Sequence, residues 1–326
     1  MKAIVRYKYG GPDVLQLREI EKPVIKDDQV LVRVRATSIN LGDWHFMRGR
    51  PYIIRVMGYG LLKPKLKSSV PGGDLAGRVE AVGKNVTEFH PGDEVFGMSI
   101  RTFAEYVAVK DVGLVPKPAN VTFEQAAAVP VAAITALQGL RDKGEIRPGR
   151  EVLINGASGG VGTFGVQIAK ALGAHVTGVC RTRNLDMVRS IGADKVIDYT
   201  QEDFTASGHR YDLILDVAGN HPWSECRRAL TRDGILVLTG QSGRKEHSVL
   251  PFIKVAVVGP FLRHRVRTFI AKRDKKDLNI LREFLETGKI RPVIDGTYPL
   301  GEAAEAMRYV QEEHARGKVV LTVARA

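Results

Sequence analysis

The stretch 151-EVLINGASGGVGTFGVQIAKALGAHVTGVC-180 decides how this chain reads. Glu151 to Asn155 is a short apolar run of strand type, after which Gly156, Gly159, Gly160 and Gly162 crowd together. Val161, Phe164, Ile168, Ala169 and Leu172 then recur at helical spacing and give one apolar face. Gly173 ends that helix, and His175 to Cys180 reads as a second strand. Strand, glycine turn, helix and strand make one βαβ unit, the setting in which a dinucleotide-binding turn works. A helix N-terminus offers unsatisfied N–H groups and the positive end of the dipole to a pyrophosphate. The common spacing G-x-G-x-x-G falls here on Ala157, Gly159 and Gly162, with Gly156 one step earlier.

The end of the second strand selects the cofactor. An NAD site carries an acid there for the ribose 2′-hydroxyl. This strand ends in Cys180 and continues Arg181-Thr182-Arg183-Asn184, with no acid before Asp186, which belongs to the next helix. Two arginines at that point suit a 2′-phosphate, so NADPH is expected. A rival reading exists: Gly156-Ala157-Ser158-Gly159-Gly160 also fits G-x-S-x-G, the nucleophile elbow of α/β-hydrolases. That reading recruits Asp216 with His247 or His264 downstream, but leaves Gly162 and the two arginines without a purpose.

Composition narrows the classes. A chain of 326 residues suffices for two domains with cores of their own. Its 2 cysteines, Cys180 and Cys226, rule out a disulfide framework and a cysteine zinc cluster. No signal peptide and no membrane-spanning apolar run are read, so a cytoplasmic protein is expected. The net charge of +13 suits an anionic cofactor and substrate. A nucleic-acid partner or an acidic membrane surface is compatible with that charge but not expected, because no aromatic–basic RNA-binding motif accompanies it.

Residues 1–118 read as short strands: Ala3 to Tyr7, Gln29 to Ala36, Gly77 to Val82, Glu94 to Gly97 and Ala104 to Val109. Turn signals such as Tyr9-Gly10-Gly11-Pro12 and His90-Pro91-Gly92-Asp93 separate them. From about residue 119 the pattern changes to a helix over Thr122 to Leu140, capped by Thr122. After the βαβ unit, Lys195 to Tyr199, Tyr211 to Ala218, Gly234 to Gly240 and Arg267 to Ala271 read as strands alternating with helices, the mark of a doubly wound parallel sheet. Asp277 to Glu286 is a helix. The tail gives a strand from about Val293, a helix over Gly301 to His314 and a strand from Lys318 to Val323. The long connection Pro51 to Ser69 reads as a lid or binding edge, and the apolar run Leu250 to Leu262 as a pocket wall or subunit interface.

Several stretches together carry a resemblance: Val70-Pro71-Gly72-Gly73-Asp74-Leu75-Ala76-Gly77, His90-Pro91-Gly92-Asp93-Glu94-Val95-Phe96-Gly97, Asn155 to Gly162, Ile191-Gly192-Ala193-Asp194 and the closing Gly317-Lys318-Val319-Val320-Leu321. Over essentially its full length the chain resembles the medium-chain dehydrogenase/reductase superfamily, and within it the zinc-free quinone oxidoreductase branch. The resemblance implies an α/β fold with a Rossmann doubly wound parallel sheet inserted in a GroES-like β-barrel catalytic domain. The barrel domain takes residues 1–119 and 293–326, and the NADPH-binding domain takes 120–292. Zinc-dependent relatives carry an early cysteine and a Gly-His-Glu. Here the regions read Ser38-Ile39-Asn40-Leu41-Gly42-Asp43-Trp44 and Gly72-Gly73-Asp74, so no metal is expected.

By the same resemblance Asn40 faces the nicotinamide and substrate, and Thr135 lies near the nicotinamide amide or ribose. Asn40 reads equally as a turn residue, and Thr135 as a helix residue bonding its own backbone. Tyr52 is a candidate proton donor or a packed loop aromatic. Asp43 orders the loop. Ser158, Gly159, Gly160, Val161 and Gly162 cradle the pyrophosphate. Cys180, Arg181, Arg183 and Tyr199 border the 2′-phosphate end. Val217, Ala218, Thr239 and Gly240 sit at the ends of later strands, where cofactors lie in open sheets. Lys318 either closes over the cofactor or is a surface lysine. The expected reaction is hydride transfer from NADPH to quinones or to the activated C=C bond of α,β-unsaturated carbonyls. Reduction of simple carbonyls, or a weakly catalytic NADPH-binding regulatory or RNA-binding role, stands as the alternative. A homodimer formed through the last strand of the parallel sheet is expected from the family.

Overall fold

The computed structural model describes residues 1–52, 55–56, 60–65, 69–239, 265–312 and 315–323. Gly240, the run Leu250 to Leu262, and Ile53, Ile54, Met57 and Lys67 of the long connection lie outside the described residues, as do His247 and His264. The chain divides into two compact units. One comprises Met1–Val131, Arg273–Gly288 and Pro292–Ala326, and the other Ala132–Lys272 with Lys289–Arg291.

The first unit opens with β1 (Lys2–Val5) and β2 (Gln16–Glu19), an antiparallel pair. It continues with β3 (Gln29–Ser38), α1 (Leu41–Arg48), β4 (Asp74–Val82), β5 (Glu94–Met98), β6 (Tyr106–Lys110), β7 (Leu114–Pro116) and α2 (Phe123–Ala127). The centre is β3. It pairs with β4 along one side, while its other side is shared between β6 near its start and the last strand of the chain near its end. Alternation along β3 turns Val30, Val32 and Val34 into the core with Leu75, Val95, Phe103 and Leu114. The sequence pattern expects neither β2, β7 nor α1. α1 has only 8 residues, yet it carries start and stop signals: Asn40 at the N-cap, Asp43 three residues on, and Gly49 beyond the end at φ 60°.

α3 (Pro130–Gln138) begins a new helix where one continuous helix over Thr122 to Leu140 is expected. Pro130 explains the break, since it has no N–H to continue the hydrogen-bond ladder of α2. Thr122 does cap α2, its hydroxyl accepting from the Gln125 backbone N–H.

The second unit is built on β8 (Glu151–Asn155), α4 (Gly160–Ala171), β9 (His175–Cys180), α5 (Leu185–Ser190), β10 (Lys195–Asp198), β11 (Tyr211–Asp216), α6 (Trp223–Cys226), β12 (Leu230–Leu238) and β13 (Arg265–Thr268). Every strand pairing is parallel, and the order is β10-β9-β8-β11-β12-β13. Counted within the unit this is the order 3-2-1-4-5-6 of a doubly wound dinucleotide fold. β12 begins four residues before the expected Gly234, because Leu230 already pairs with Tyr211 across a register irregularity. β13 is likewise displaced towards the N-terminus of the expected Arg267 to Ala271.

The chain then gives α7 (Lys275–Glu286), β14 (Ile294–Pro299), α8 (Ala303–Glu312) and β15 (Lys318–Thr322). β15 pairs antiparallel with β3 and parallel with β14, so both chain ends build one sheet. The sequence reading assigned α2 and α7 to the nucleotide-binding part. By packing they count with the first unit, α2 against β3 and β4 and α7 against β7. Among the described residues no helix is long and apolar enough to cross a membrane.

Candidate active site

In the second unit the chain turns sharply out of β8. Gly156 has φ 85°, and a Cβ there would lie 3.2 Å from both the Cβ and the backbone nitrogen of Ala218. At Gly162, in the first turn of α4, a Cβ would stand 2.0 Å from the Gly156 carbonyl oxygen. The helix therefore starts as close to the turn as a backbone can come. Gly159 caps α4 in extended conformation without a side-chain hydrogen bond, so no capping side chain claims the leading N–H groups. A turn with no room for a side chain at Gly156 or Gly162, and with uncapped N–H groups at the helix start, fits a pyrophosphate.

The basic turn after β9 is tied to this cradle. The Asn184 amide donates to Ser158 Oγ at 3.0 Å. This uses an acceptor position of the Ser158 hydroxyl and leaves its hydrogen for another partner. Arg181 and Arg183 are exposed, and Tyr199 is half exposed beside them in sequence order after β10. Cys180 is buried, and burial pushes its thiol up to about 11, with the charge of Asp198 adding to the shift. It borders the site through backbone, its carbonyl accepting from Tyr199 N at 3.1 Å.

The ends of the later strands close round β8. Val217 N and Ala218 N both donate to the Asn155 carbonyl, at 3.0 and 3.2 Å, and Thr239 N donates to the Asp216 carbonyl at 3.0 Å. Asp216, which only the hydrolase reading recruits from the sequence, lies beside this turn. It is buried, and its Oδ1 accepts from Asn155 Nδ2 at 2.8 Å and from Gly219 N at 2.8 Å. Burial raises its carboxyl above the usual range. It braces the loop that supports Gly156.

In the first unit a second constellation forms where β15, β3 and β4 meet. Register explains it: Val320 faces Ser38 in the antiparallel β15–β3 ladder, so Lys318 comes opposite residue 40. Ala36 faces Ala76 on the other side, which brings the start of β4 to the end of β3. The Lys318 ammonium, buried, donates to Asn40 Oδ1 at 2.6 Å and to the Ile39 carbonyl at 2.9 Å, and lies 3.5 Å from Asp74 Oδ2. Asn40 Nδ2 donates to Asp74 Oδ2 at 2.7 Å, as does Ser38 Oγ at 2.6 Å. Asp74 Oδ1 accepts from Val131 N at 2.8 Å. Asp43 completes the arrangement, taking the N–H groups of Asn40 at 2.9 Å and Gly72 at 3.2 Å.

Two family descriptions match the chain, an alcohol dehydrogenase GroES-like domain over residues 26–119 and a zinc-binding dehydrogenase over residues 191–321. A chloroplastic NADPH-dependent alkenal/one oxidoreductase of Arabidopsis thaliana is 34% identical, over 98% of this chain and 79% of that protein. This chain belongs to the medium-chain dehydrogenase/reductase superfamily, in its quinone oxidoreductase-like branch. Among solved structures, the quinone oxidoreductase of Coxiella burnetii superposes with a TM-score of 0.88 at 28% identity, covering 99% of each chain. The Escherichia coli quinone oxidoreductase complexed with NADPH gives a TM-score of 0.83 at 25% identity, covering 99% of this chain and 100% of that one.

Within this superfamily member, Asn40 stands at the centre of a fixed polar network, and Lys318 belongs to the same network as a buried cation rather than a surface lysine. Thr135 is half buried on α3. Tyr52 is 58% exposed, its ring stacked by the guanidinium groups of Arg50 and Arg55 and its hydroxyl 3.5 Å from Arg50. The sequence reading quoted Asp74 without giving it a role. An acid heading the apolar run Leu75-Ala76-Gly77 was the available signal, since such a carboxylate is buried only with partners. Gly73 offers no ligand, and among the described residues no group of three or more His, Cys, Asp or Glu side chains is placed to hold a metal ion.

Asp43 carries a pH signature. Burial raises its carboxyl from the ordinary value to about 6, and the charge of Asp74 adds, while the Asn40 and Gly72 N–H groups and Lys318 oppose. The folded state therefore holds this proton more tightly than the unfolded chain does. The resulting stabilisation is complete below the unfolded value of 3.8 and is lost as pH rises through about 6. Measured against Asp43→Asn, which lacks the titration, the wild type is expected to lose up to about 3 kcal/mol of relative stability between mildly acidic and neutral pH. Urea denaturation of both proteins across that range checks it. A constant difference would show that Asp43 titrates normally.

Proposed function

We infer that this chain is an NADPH-dependent oxidoreductase that reduces quinones or the activated C=C bond of α,β-unsaturated carbonyls, without a metal. The observation that carries this reading is the Asn40 amide. Its oxygen is taken by Lys318 and one nitrogen hydrogen by Asp74, while the other nitrogen hydrogen of this half-buried side chain makes only a long contact of 3.5 Å to the Ser38 carbonyl, weak enough to be exchanged for a substrate oxygen. Gly73 keeps the space beside it open, since a Cβ there would lie 3.9 Å from Asn40 Nδ2.

Bound NADPH supplies the hydride. The chain's own residues bind, orient and polarise. Ser158 to Gly162 hold the pyrophosphate against the start of α4, and Arg181 and Arg183 meet the 2′-phosphate. The weakly held Asn40 N–H donates to the oxygen of the acceptor, where negative charge builds as the hydride arrives at the quinone or at the β-carbon of an enone. A neutral donor suffices for acceptors that need little activation, and this favours quinones and enones over simple carbonyls. Asp43 and Asp74 are buried and held in the network, and water or a side chain delivers the proton that completes reduction.

Turnover of NADPH with a panel of quinones, enones and simple aldehydes, with NADH and chelator controls, tests this reading. Asn40→Ala is expected to lower kcat by roughly 100-fold, the usual effect of removing one such donor, with NADPH affinity unchanged. Tight NADPH binding without turnover on any acceptor would move weight to a regulatory role, and the basic surface would then be examined for salt-dependent RNA binding. We also propose a reducing, cytoplasmic setting, in keeping with the two free cysteines, both buried. A homodimer through β13, the last strand in the sheet order, is proposed on the ground that an unpaired edge is a liability. Light scattering at low concentration tests that assembly, and a monomer would refute it.

A further inference from the structure

We propose that Lys318 is a positioning residue: its buried ammonium fixes the orientation of the Asn40 amide, so that nitrogen and not oxygen is presented to the substrate. This deepens the reading above and rests on it. The side chain of an asparagine can be turned over with little change in shape, exchanging its donor and acceptor ends. Here the two ends meet partners of opposite character. An ammonium only donates, and it lies 2.6 Å from Asn40 Oδ1. A carboxylate only accepts when ionised, and it lies 2.7 Å from Asn40 Nδ2. The flipped amide would set N–H against ammonium and carbonyl oxygen against carboxylate, two repulsive contacts in a buried site where such contacts are poorly screened.

The geometry is built for this. Lys318 has three hydrogens and faces three acceptors: the Ile39 carbonyl, Asn40 Oδ1 and Asp74 Oδ2. Asp74 is itself immobilised from both sides by Ser38 Oγ and Val131 N. The cation side chain is 3% exposed and its partner 0%, so neither end of the pair is a solvated surface charge. A buried ion pair is weak evidence for stability, because desolvation offsets most of the attraction. Its consequence here lies in what it does to the amide between the charges. Among the described residues the side-chain atoms that the Lys318 ammonium meets belong to Asn40 and Asp74, and the role proposed for it acts through Asn40.

The test separates orientation from stability. Lys318→Met alone leaves Asp74 buried and unpaired, and such variants can fail to fold. The double variant Asp74→Asn/Lys318→Met removes both charges at nearly constant volume. In it the new amide can donate to Asn40 Oδ1, and the orientation is no longer imposed. The double variant is expected to bind NADPH as the wild type does and to show a KM for the acceptor within about 3-fold, with kcat lowered roughly 100-fold, as for loss of one donor to the developing charge. Lys318→Arg, which keeps the charge, is expected to recover part of that kcat. A folded double variant with wild-type kcat would overturn the proposal.

Should the double variant not fold, the wild type still decides. In nitrogen-labelled protein the Asn40 side-chain amide is expected to show one slowly and one rapidly exchanging N–H, the first bound to Asp74 and the second held only by the long contact to the Ser38 carbonyl. Two rapidly exchanging hydrogens would overturn the proposal as surely. Asn40→Ala tells the two readings apart. If it keeps full kcat, the role given to Asn40 is wrong. If it loses kcat while the charge-free double variant keeps it, only the role of Lys318 fails.

Discussion

Gly162→Ala is expected to weaken NADPH binding by roughly 100-fold or more, the scale set by a displacement of about 1 Å in a positioning element. One methyl group produces this because of where it would stand: 2.0 Å from the Gly156 carbonyl oxygen, 2.8 Å from its carbon and 2.9 Å from the Ala157 Cα. All three are backbone atoms, so no side chain can swing aside. Either α4 withdraws from the turn or the turn opens, and both dismantle the cradle. Gly159→Ala supplies the contrast. Its Cβ would meet nothing nearer than the Gly156 oxygen at 3.5 Å, an ordinary contact. Calorimetric titration with NADPH and thermal unfolding of both variants separate the causes. Gly162→Ala should lose stability and affinity together. Any loss in Gly159→Ala should be of affinity alone, reporting a ligand that needs the space above that glycine. Unchanged binding in Gly162→Ala would place the cofactor elsewhere.

That contrast shows why the second unit was legible in sequence. Glycine turn, helix and strand follow one another within 30 residues, and each signal is local: the apolar runs, the helical period, the glycines where only glycine fits. The first unit hides its chemistry because its chemistry is not local. Asn40 and Asp74 are 34 residues apart, and Asn40 and Lys318 are 278 apart. Nothing near Lys318 in the sequence distinguishes a buried cation from a surface lysine. Burial comes from the register of β15 against β3, which single-sequence periodicity does not set. The helix α1 escaped for a related reason. It has only 8 residues, and Asn40, which reads as a turn residue, stands at its N-cap with its side chain turned to Lys318 and Asp74 and its own N–H taken by Asp43.

The arginines after β9 support the second large effect. Arg181→Ala/Arg183→Ala is expected to lower kcat/KM for NADPH by roughly 100-fold while changing that for NADH by less than about 3-fold. Hydrogen bonds to a charged group contribute about 1.5–3 kcal/mol each, and each 1.4 kcal/mol is a factor of ten. The sheet adds a complication that the linear sequence does not show. Asp198 at the end of β10 lies in register with Cys180, so an acid does stand beside the end of β9. An acid there could serve a ribose 2′-hydroxyl and favour NADH. Its carboxylate is already occupied: it accepts from Thr182 Oγ1 at 2.5 Å, from Thr200 Oγ1 at 2.8 Å and from Thr200 N at 3.0 Å. These bonds hold the carboxyl of Asp198 below its usual range, so it stays ionised, and they anchor the turn that carries Arg183. Asp198 thus acts on the backbone that presents the arginines. Steady-state kinetics of the double arginine variant with both cofactors decide the matter. A fall confined to NADPH assigns the arginines to the 2′-phosphate. An equal fall with both cofactors would assign them to the pyrophosphate or to the fold, and an unchanged ratio with retained NADPH preference would move the 2′-phosphate contact to another part of the unit.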